Sequence, residues 1–245
     1  MFKAILTLSL LAPMMAMADT AGDLARIRPL LPTGTDVAQL QAALLQGSSE
    51  ADAEKLASEN YLLRDINGDG LEDLLVIAEV NPSLENRQTN QPCAPLDEFN
   101  CKIVYGQRSL LFFLGQRDGS LKLEFANSKM VLNGDEGGAI GDPLSGFMVR
   151  KNGGIALLAC GGSAWRWSYT DVMDFRNGDL YVVGQDSYVG WTGDLRSDTK
   201  SIDLITGQVV ETHQKNGNSP IQTKRYNVAV KPLVRVADYQ GQSPN

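Results

Sequence analysis

The stretch SAWRWSYTDVMDFRNGDLYVVGQDS, residues 163–187, is the clearest indication of the fold. Two runs rich in Trp, Tyr, Val, Phe and Leu flank an Asn-Gly turn, which is a strong β-hairpin signal. GQRDGS (115–120) and LITGQ (204–208) repeat this arrangement between other apolar runs. Successive hairpins predict antiparallel strands, because parallel strands need long crossover connections.

Further runs of this kind extend outward from the hairpin over residues 61–234. No helical pattern separates them, which argues against a doubly wound α/β sheet. We predict a mainly β domain over 61–234, as an antiparallel, hairpin-rich sheet or sandwich, with α+β as the alternative. Residues 19–60 favour a short helical N-terminal segment. Residues 235–245 are a polar tail, which we expect to fray.

The first 18 residues, MFKAILTLSLLAPMMAMA, have the features of a secretory signal peptide. Lys3 precedes an apolar run, and Ala16-Met17-Ala18 supplies the small-x-small pattern of a cleavage site. The run is shorter than the roughly 20 residues of a membrane-spanning helix, and no later segment is apolar enough to span. We predict cleavage after Ala18 and a periplasmic or secreted protein without a membrane span.

Charge narrows the range of partners. The chain has 22 Lys+Arg against 29 Asp+Glu, for a formal net charge of −7. This acidic excess argues against nucleic acid and against anionic membrane surfaces, since both reward clustered Lys and Arg. The single histidine, His213, excludes a two-histidine metal site within one chain.

Residues 65–73, DINGDGLED, carry the most specific chemical motif. Calcium binds about six to eight oxygens at a flexible site. Oxygen-bearing side chains spaced by two on a curled loop face one hollow, and Gly70 permits the sharp turn that directs the next carbonyl inward. The predicted calcium ligands are Asp65, Asn67, Asp69, the Leu71 carbonyl and Asp73. The alternative is a plain turn, because Asn-Gly and Asp-Gly form turns without a cation.

The motif departs from the EF-hand, because Val76 stands where an EF-hand has a bidentate glutamate, and a strand follows the loop. The pattern D-x-N-G-D-G-x-x-D before an apolar strand resembles the integrin-type FG-GAP and VCBS-like calcium loops. That resemblance implies the same five ligands. The loop occurs once in the chain, so the resemblance does not imply a propeller.

Three more segments, residues 137–153, 160–184 and 201–211, contain a GG-x-x-GDP turn, a GGS-x-WRW strand and an L-x-TG turn. Together with the calcium loop, this order resembles an uncharacterised family of bacterial exported proteins that carry a single such loop. The resemblance covers roughly residues 60–211. It implies export and a mostly β fold, and it implies no activity.

Export makes disulfides available to the three cysteines. Cys93 and Cys101 lie close together in a polar, proline-bearing loop over residues 81–101, and their pairing would pin that loop. Cys160 lies in an apolar strand and is expected to be a buried small hydrophobe. Connectivity cannot be derived from sequence, so other pairings stay open.

Three aromatic residues, Trp165, Trp167 and Tyr169, alternate along one strand and therefore share one face. We expect that face to belong to the core, because aromatic side chains gain much from burial. A stacking platform for sugar or peptide is the alternative. Trp191, near Tyr188, is a further exposed-aromatic candidate. The candidate ligand aromatics are thus Trp165, Trp167 and Trp191.

The sequence holds no Gly-x-Ser-x-Gly or Ser-x-x-Lys motif, and its 29 acidic residues single out no carboxylate pair. The predicted function is a calcium-binding, non-enzymatic binding or structural component of the cell envelope or extracellular space, with an envelope or secreted protein as partner. The alternatives are an envelope-polymer hydrolase with a carboxylate pair and an inhibitor- or immunity-type partner of a secreted enzyme or toxin. The latter would act through loop 81–101.

Overall fold

The structure is a computed structural model that describes residues 20–35, 56–58, 60–87, 90, 92, 101–150 and 152–242. The chain divides into a unit ending at Leu31 and a unit beginning at Pro32. In the first unit, helix α1 spans Thr20–Ile27 and a 3-10 turn follows at Arg28–Leu30. No helix of the described residues has the length and apolarity that crossing a bilayer requires. The predicted signal peptide lies outside these residues.

The described part of the second unit contains fifteen β-strands in chain order. They are β1 Leu56–Ser58, β2 Tyr61–Arg64, β3 Asp73–Val80, β4 Ser83–Asn86, β5 Cys101–Val104, β6 Gln107–Gly115, β7 Leu121–Asn127, β8 Leu144–Val149, β9 Ile155–Gly162, β10 Trp165–Arg176, β11 Asp179–Trp191, β12 Ser197–Asp203, β13 Gln208–Gln214, β14 Gln222–Asn227 and β15 Val234–Arg235.

These strands form three sheets. The largest has nine strands in the order β1-β8-β9-β10-β11-β12-β13-β14, with β15 beside β11. A second sheet has the order β2-β3-β6-β7, and β4 pairs with β5. Every pairing is antiparallel among the described strands. The prediction of a mainly β, antiparallel fold with a short N-terminal helix is confirmed.

The two larger sheets pack over one apolar core. Leu75 and Phe112 contribute from the four-stranded sheet, and Phe147 and Met173 contribute from the nine-stranded sheet. Strand β3 is buried on both faces, which explains why its sequence DLLVIAEV is almost continuously apolar. Burial of this surface stabilises the sandwich by roughly 25 cal/mol per Å² of apolar area.

Strands β12 to β14, at one edge of the nine-stranded sheet, extend beyond this core. Strands β12 and β14 have no buried residue, and β13 has only Val209. Polar residues occupy both faces of these strands, so hairpin turns and cross-strand pairs hold them in the sheet. This part of the sheet leaves both of its faces available to solvent.

The N-terminal prediction holds only in part. Residues 36–55 of the predicted helical segment lie outside the described residues. Residues 56–58 were expected to be helical but form β1, which pairs with β8. Edge pairing with an existing sheet outweighs a weak local helix preference.

The C-terminal tail is ordered through residue 242, so the prediction that it frays is wrong. Val236 is fully buried. The side-chain amide of Asn127, on β7, donates hydrogen bonds to the carbonyls of Val236 at 2.6 Å and Tyr239 at 2.8 Å. These bonds attach the polar tail to the sheet. The composition of the tail does not reveal them, because Asn127 supplies the donors.

The loop over residues 81–101 is partly described. It contains β4 and ends at β5, and residues 88–89, 91 and 93–100 lie outside the described residues. Cys101 is buried, and Cys160 is a free, half-buried thiol. Because Cys93 lies outside the described residues, its pairing with Cys101 stays a prediction.

Candidate functional sites

The predicted calcium loop, residues 65–73, connects β2 to β3, where Arg64 pairs with Asp73. Gly68 and Gly70 adopt φ angles of 82° and 85°. Open space surrounds the position that a Cβ would take at either glycine. The left-handed backbone, rather than crowding, therefore requires glycine at these two positions.

The side chains of the loop fold inward and cap its own backbone. Asp65 accepts hydrogen bonds from the N–H groups of Gly68 at 2.7 Å and Gly70 at 2.9 Å. Asn67 Oδ1 accepts one from the Asp69 N–H at 2.8 Å. The loop is thus a series of Asx-type turns, as its Asn-Gly and Asp-Gly steps predict.

Asp73 holds the loop to the sheet. It is fully buried, and its Oδ2 accepts hydrogen bonds from the N–H groups of Ile66 at 2.9 Å and Asn67 at 3.1 Å. Its Oδ1 accepts one from the N–H of Gly115, on β6, at 2.9 Å. Asp73 therefore compensates for its burial with three backbone donors and has a structural role whether or not a cation binds.

The donor set fits calcium by its chemistry. A carboxylate has about four lone-pair positions, and Asp65 and Asp69 each use two for hydrogen bonds. Asn67, Asp69 and Leu71 border a shallow surface depression beside the β6–β7 turn. Within the described part of the chain, no group of three or more His, Cys, Asp or Glu side chains is placed to hold a metal. Amide and backbone carbonyl oxygens, such as those predicted at Asn67 and Leu71, would have to complete the calcium shell.

The aromatic row on β10 does not lie in the core, so that expectation is wrong. Trp165 is 47% exposed, and Trp167 and Tyr169 are half-buried and stacked with ring centroids 5.1 Å apart. Trp165 pairs across the strands with Trp191, with ring centroids 5.2 Å apart. The guanidinium of Arg196 lies 5.3 Å and 6.0 Å from these two rings. The three candidate tryptophans therefore come together on one surface.

A shallow polar groove lies beside this row, over β11–β14. Two pairs of its side chains meet across strands. His213 Nδ1 lies 2.7 Å from Asp198 Oδ1, and Lys200 Nζ lies 3.6 Å from Glu211 Oε1. Sequence alternation predicted the strands but not which of their side chains would meet, because that depends on cross-strand register.

The carboxylates of this groove bear on the hydrolase alternative. The hydroxyl of Tyr226 donates a 2.6 Å hydrogen bond to Glu211. This bond, with help from Lys200 and Lys224, lowers the pKa of Glu211 below its usual value. A catalytic general acid needs a raised pKa, so Glu211 is unsuited to that role.

A buried ionic cluster centred on Arg108 was not anticipated from sequence. Arg108 Nε and Nη2 donate to Glu79 Oε2 at 3.1 Å and 3.0 Å, and both side chains are buried. Its other face forms a bidentate pair with Asp142, in the Gly-Asp-Pro turn. The cluster joins β3, β6 and this turn, and we assign it a structural role.

A second unanticipated group surrounds Asp171 on β10. Its Oδ1 accepts hydrogen bonds from the hydroxyl of Tyr239 at 2.8 Å and from Gln242 at 2.9 Å, with Gln185 at 3.4 Å. Burial raises the pKa of Asp171 despite these donors. Two of the donors come from the C-terminal tail, 68 and 71 positions away, so no local signal could have revealed the group.

Comparison of the chain with protein-family models, with curated proteins and with solved structures gives no match.

Proposed function

We propose that this chain is an exported calcium-binding β protein that acts as a non-enzymatic binding or structural component of the cell envelope or extracellular space. Residues 65–73 hold the cation, with Asp65, Asn67, Asp69, the Leu71 carbonyl and Asp73 as ligands. Its partner is an envelope or secreted protein. Export rests on the signal-peptide pattern that ends at Ala18.

The inward fold of the loop is the observation that carries this proposal. Two carboxylates and one amide are held by backbone N–H groups on the inner side of a single tight turn. Their remaining lone pairs belong to oxygen atoms, which are the ligands that calcium prefers. A divalent ion would also relieve the repulsion between neighbouring carboxylates.

Calcium in this position would stabilise the fold, because it binds only the native loop. At a calcium concentration 100 times the Kd, the free energy of unfolding would rise by about 2.7 kcal/mol. The loop ties β2 to β3 and, through Asp73, to β6. The stabilisation would therefore act on the four-stranded sheet.

Calorimetric titration of residues 19–245 with calcium tests the proposal. Asp69→Asn is the informative variant, because an asparagine oxygen can still accept the hydrogen bond from the Leu71 N–H that Asp69 accepts at 2.8 Å. If the loop is only a turn, this variant behaves like the wild type. If it holds calcium, the variant binds at least tenfold more weakly, since one ligand charge is lost.

Asp203→Asn is the matched control. Asp203 also caps a turn, accepting hydrogen bonds from the N–H groups of Ile205 at 2.8 Å and Thr206 at 3.1 Å. It lies outside the predicted motif, so calcium affinity should not change. Absence of calcium binding by the wild-type protein, or equal binding by the wild type and Asp69→Asn, would refute the calcium site.

A further inference from the structure

The surface that contains the aromatic row continues across five strands. Directly paired residues of antiparallel neighbours project from the same face of a sheet. Trp167 on β10 aligns with Val189, Asp198, His213 and Gln222 on β11 to β14. This transverse row runs from an indole ring to a series of hydrogen-bonding side chains.

A second row lies next to the first on the same face. Tyr169 aligns with Ser187, Lys200, Glu211 and Lys224 on the same four strands. We call the two rows, with the Trp165–Trp191 pair, the aromatic–polar face. Its aromatic side is β10, and its polar side is the groove over β11–β14.

The aromatic side is long, and it is most exposed at Trp165. From Trp165 to Tyr169, four residues of extended strand span about 13 Å. The chain has three tryptophans, and all of them lie on this face. Trp167 lies over Gly161 of β9, where a Cβ would collide with the indole, so glycine makes room for the ring.

The polar side carries equal numbers of opposite charges. Asp198 and Glu211 balance Lys200 and Lys224, so these four side chains sum to zero on a chain of net charge −7. A nucleic acid or another polyanion would need an excess of Lys and Arg. The centre of a protein–protein interface is usually depleted of charged residues, whereas this groove is lined with them.

A saccharide meets both requirements. Its hydroxyl groups donate and accept, so they can pair with the carboxylates, ammonium groups and amides of the groove. Its apolar ring faces can pack on aromatic rings, as apolar ligand surface does in most binding sites. Cross-strand pairs already hold the polar side chains in position, which reduces the entropy lost on binding.

We propose that the aromatic–polar face binds an extended, neutral oligosaccharide chain. The sugar rings pack along Trp165 and Trp167, and their hydroxyl groups bond to the side chains of the groove. This site shares no residue with the calcium loop, so either proposal can fail without the other.

Titration of residues 19–245 with cellohexaose, chitohexaose and maltohexaose tests the proposal. The emission of the three tryptophans reports binding directly, with calorimetry as a second readout. At least one of these neutral hexasaccharides should give a saturable change, and a sulfated heparin hexasaccharide should bind more weakly. Trp165→Ala should weaken binding about tenfold, the equivalent of 1.4 kcal/mol.

Tyr188→Ala is the matched control. Tyr188 is 37% exposed on the same sheet but pairs with Ser168, on the opposite face. Its replacement should leave saccharide affinity unchanged, as should Asp69→Asn.

If Trp165→Ala does not fold by circular dichroism, His213→Ala in the exposed groove provides the second test, with an expected loss of affinity. The proposal would be overturned if none of the neutral hexasaccharides bound saturably at millimolar concentration. Tighter binding of the heparin fragment would also overturn it. Equal losses of affinity in Trp165→Ala and Tyr188→Ala would do the same.

Discussion

Replacement of Arg108 by methionine should unfold the protein at a much lower urea concentration. Arg108 is 1% exposed, and it contacts Glu79, which is 6% exposed. Methionine occupies similar space but removes every hydrogen bond that Arg108 donates to Glu79 and Asp142. Glu79 would keep only the hydrogen bond from the Gly106 N–H, at 2.8 Å.

The size of the effect follows from the charge left behind. Removal of one partner from a buried ion pair typically costs about 3–5 kcal/mol, because the remaining charge is uncompensated. Asp142 is part-exposed, so water can hydrate its carboxylate once the guanidinium is removed. Most of the cost therefore arises at Glu79. With a urea m-value of about 2–3 kcal/mol/M, the unfolding midpoint should fall by roughly 1–2.5 M.

Equilibrium urea unfolding followed by tryptophan emission measures this shift. Arg235→Met is the matched control, because Arg235 also bridges two carboxylates, Asp179 at 3.3 Å and Asp238 at 2.7 Å. Its side chain is 50% exposed, so solvent screens the pairs and the midpoint should change little.

The double variant Arg108→Met/Glu79→Gln provides the sharper test. Glutamine removes the buried charge and can still accept the hydrogen bond from the Gly106 N–H. The double variant should therefore be more stable than the sum of the two single losses predicts. Strict additivity, or a midpoint for Arg108→Met equal to that of Arg235→Met, would refute the assignment of Arg108 as a buried structural ion.

Three further predictions concern the pKa of Asp171, the cleavage of the signal peptide and the disulfide. Burial raises the pKa of Asp171, so the folded protein retains this proton to a higher pH than the unfolded chain does, and stability falls as pH rises through the folded-state pKa. Asp171→Asn should flatten the loss of stability as the pH rises above about 4 in urea unfolding, and parallel curves for the two proteins would contradict this reasoning. Intact-mass measurement of the exported protein should give a chain that begins at Asp19, lighter by two hydrogens because of a Cys93–Cys101 disulfide. An uncleaved chain would contradict the predicted cleavage site. Alkylation of all three cysteines without prior reduction would contradict the predicted disulfide.

The strands that sequence located best are those with strong periodicity. The β10–β11 hairpin and the turns at GQRDGS and LITGQ all occur where their Gly-containing steps place them. β1 was missed because its three residues pair with β8 at a sheet edge and have no pattern of their own. The docked tail was missed for a related reason, since buried Asn127 supplies the partners for its carbonyls.

The aromatic row shows the limit of composition as evidence. Alternation correctly placed Trp165, Trp167 and Tyr169 on one face of β10, but burial energies alone favoured the core for that face. The structure leaves this face partly exposed because the four-stranded sheet covers only one end of the nine-stranded sheet, around Met173 and Leu180. How far one sheet overlaps another depends on the whole chain.

The sequence alone was sufficient to predict the features that depend on interactions between neighbouring residues. Strand alternation, hairpin turns and the left-handed glycines of loop 65–73 all arise from interactions within a few residues. The Arg108 cluster, the Asp171 group and the aromatic–polar face join residues that lie tens of positions apart. Their partners depend on strand register and sheet packing, so only the folded chain reveals which charges are buried, which are paired and which aromatics remain exposed.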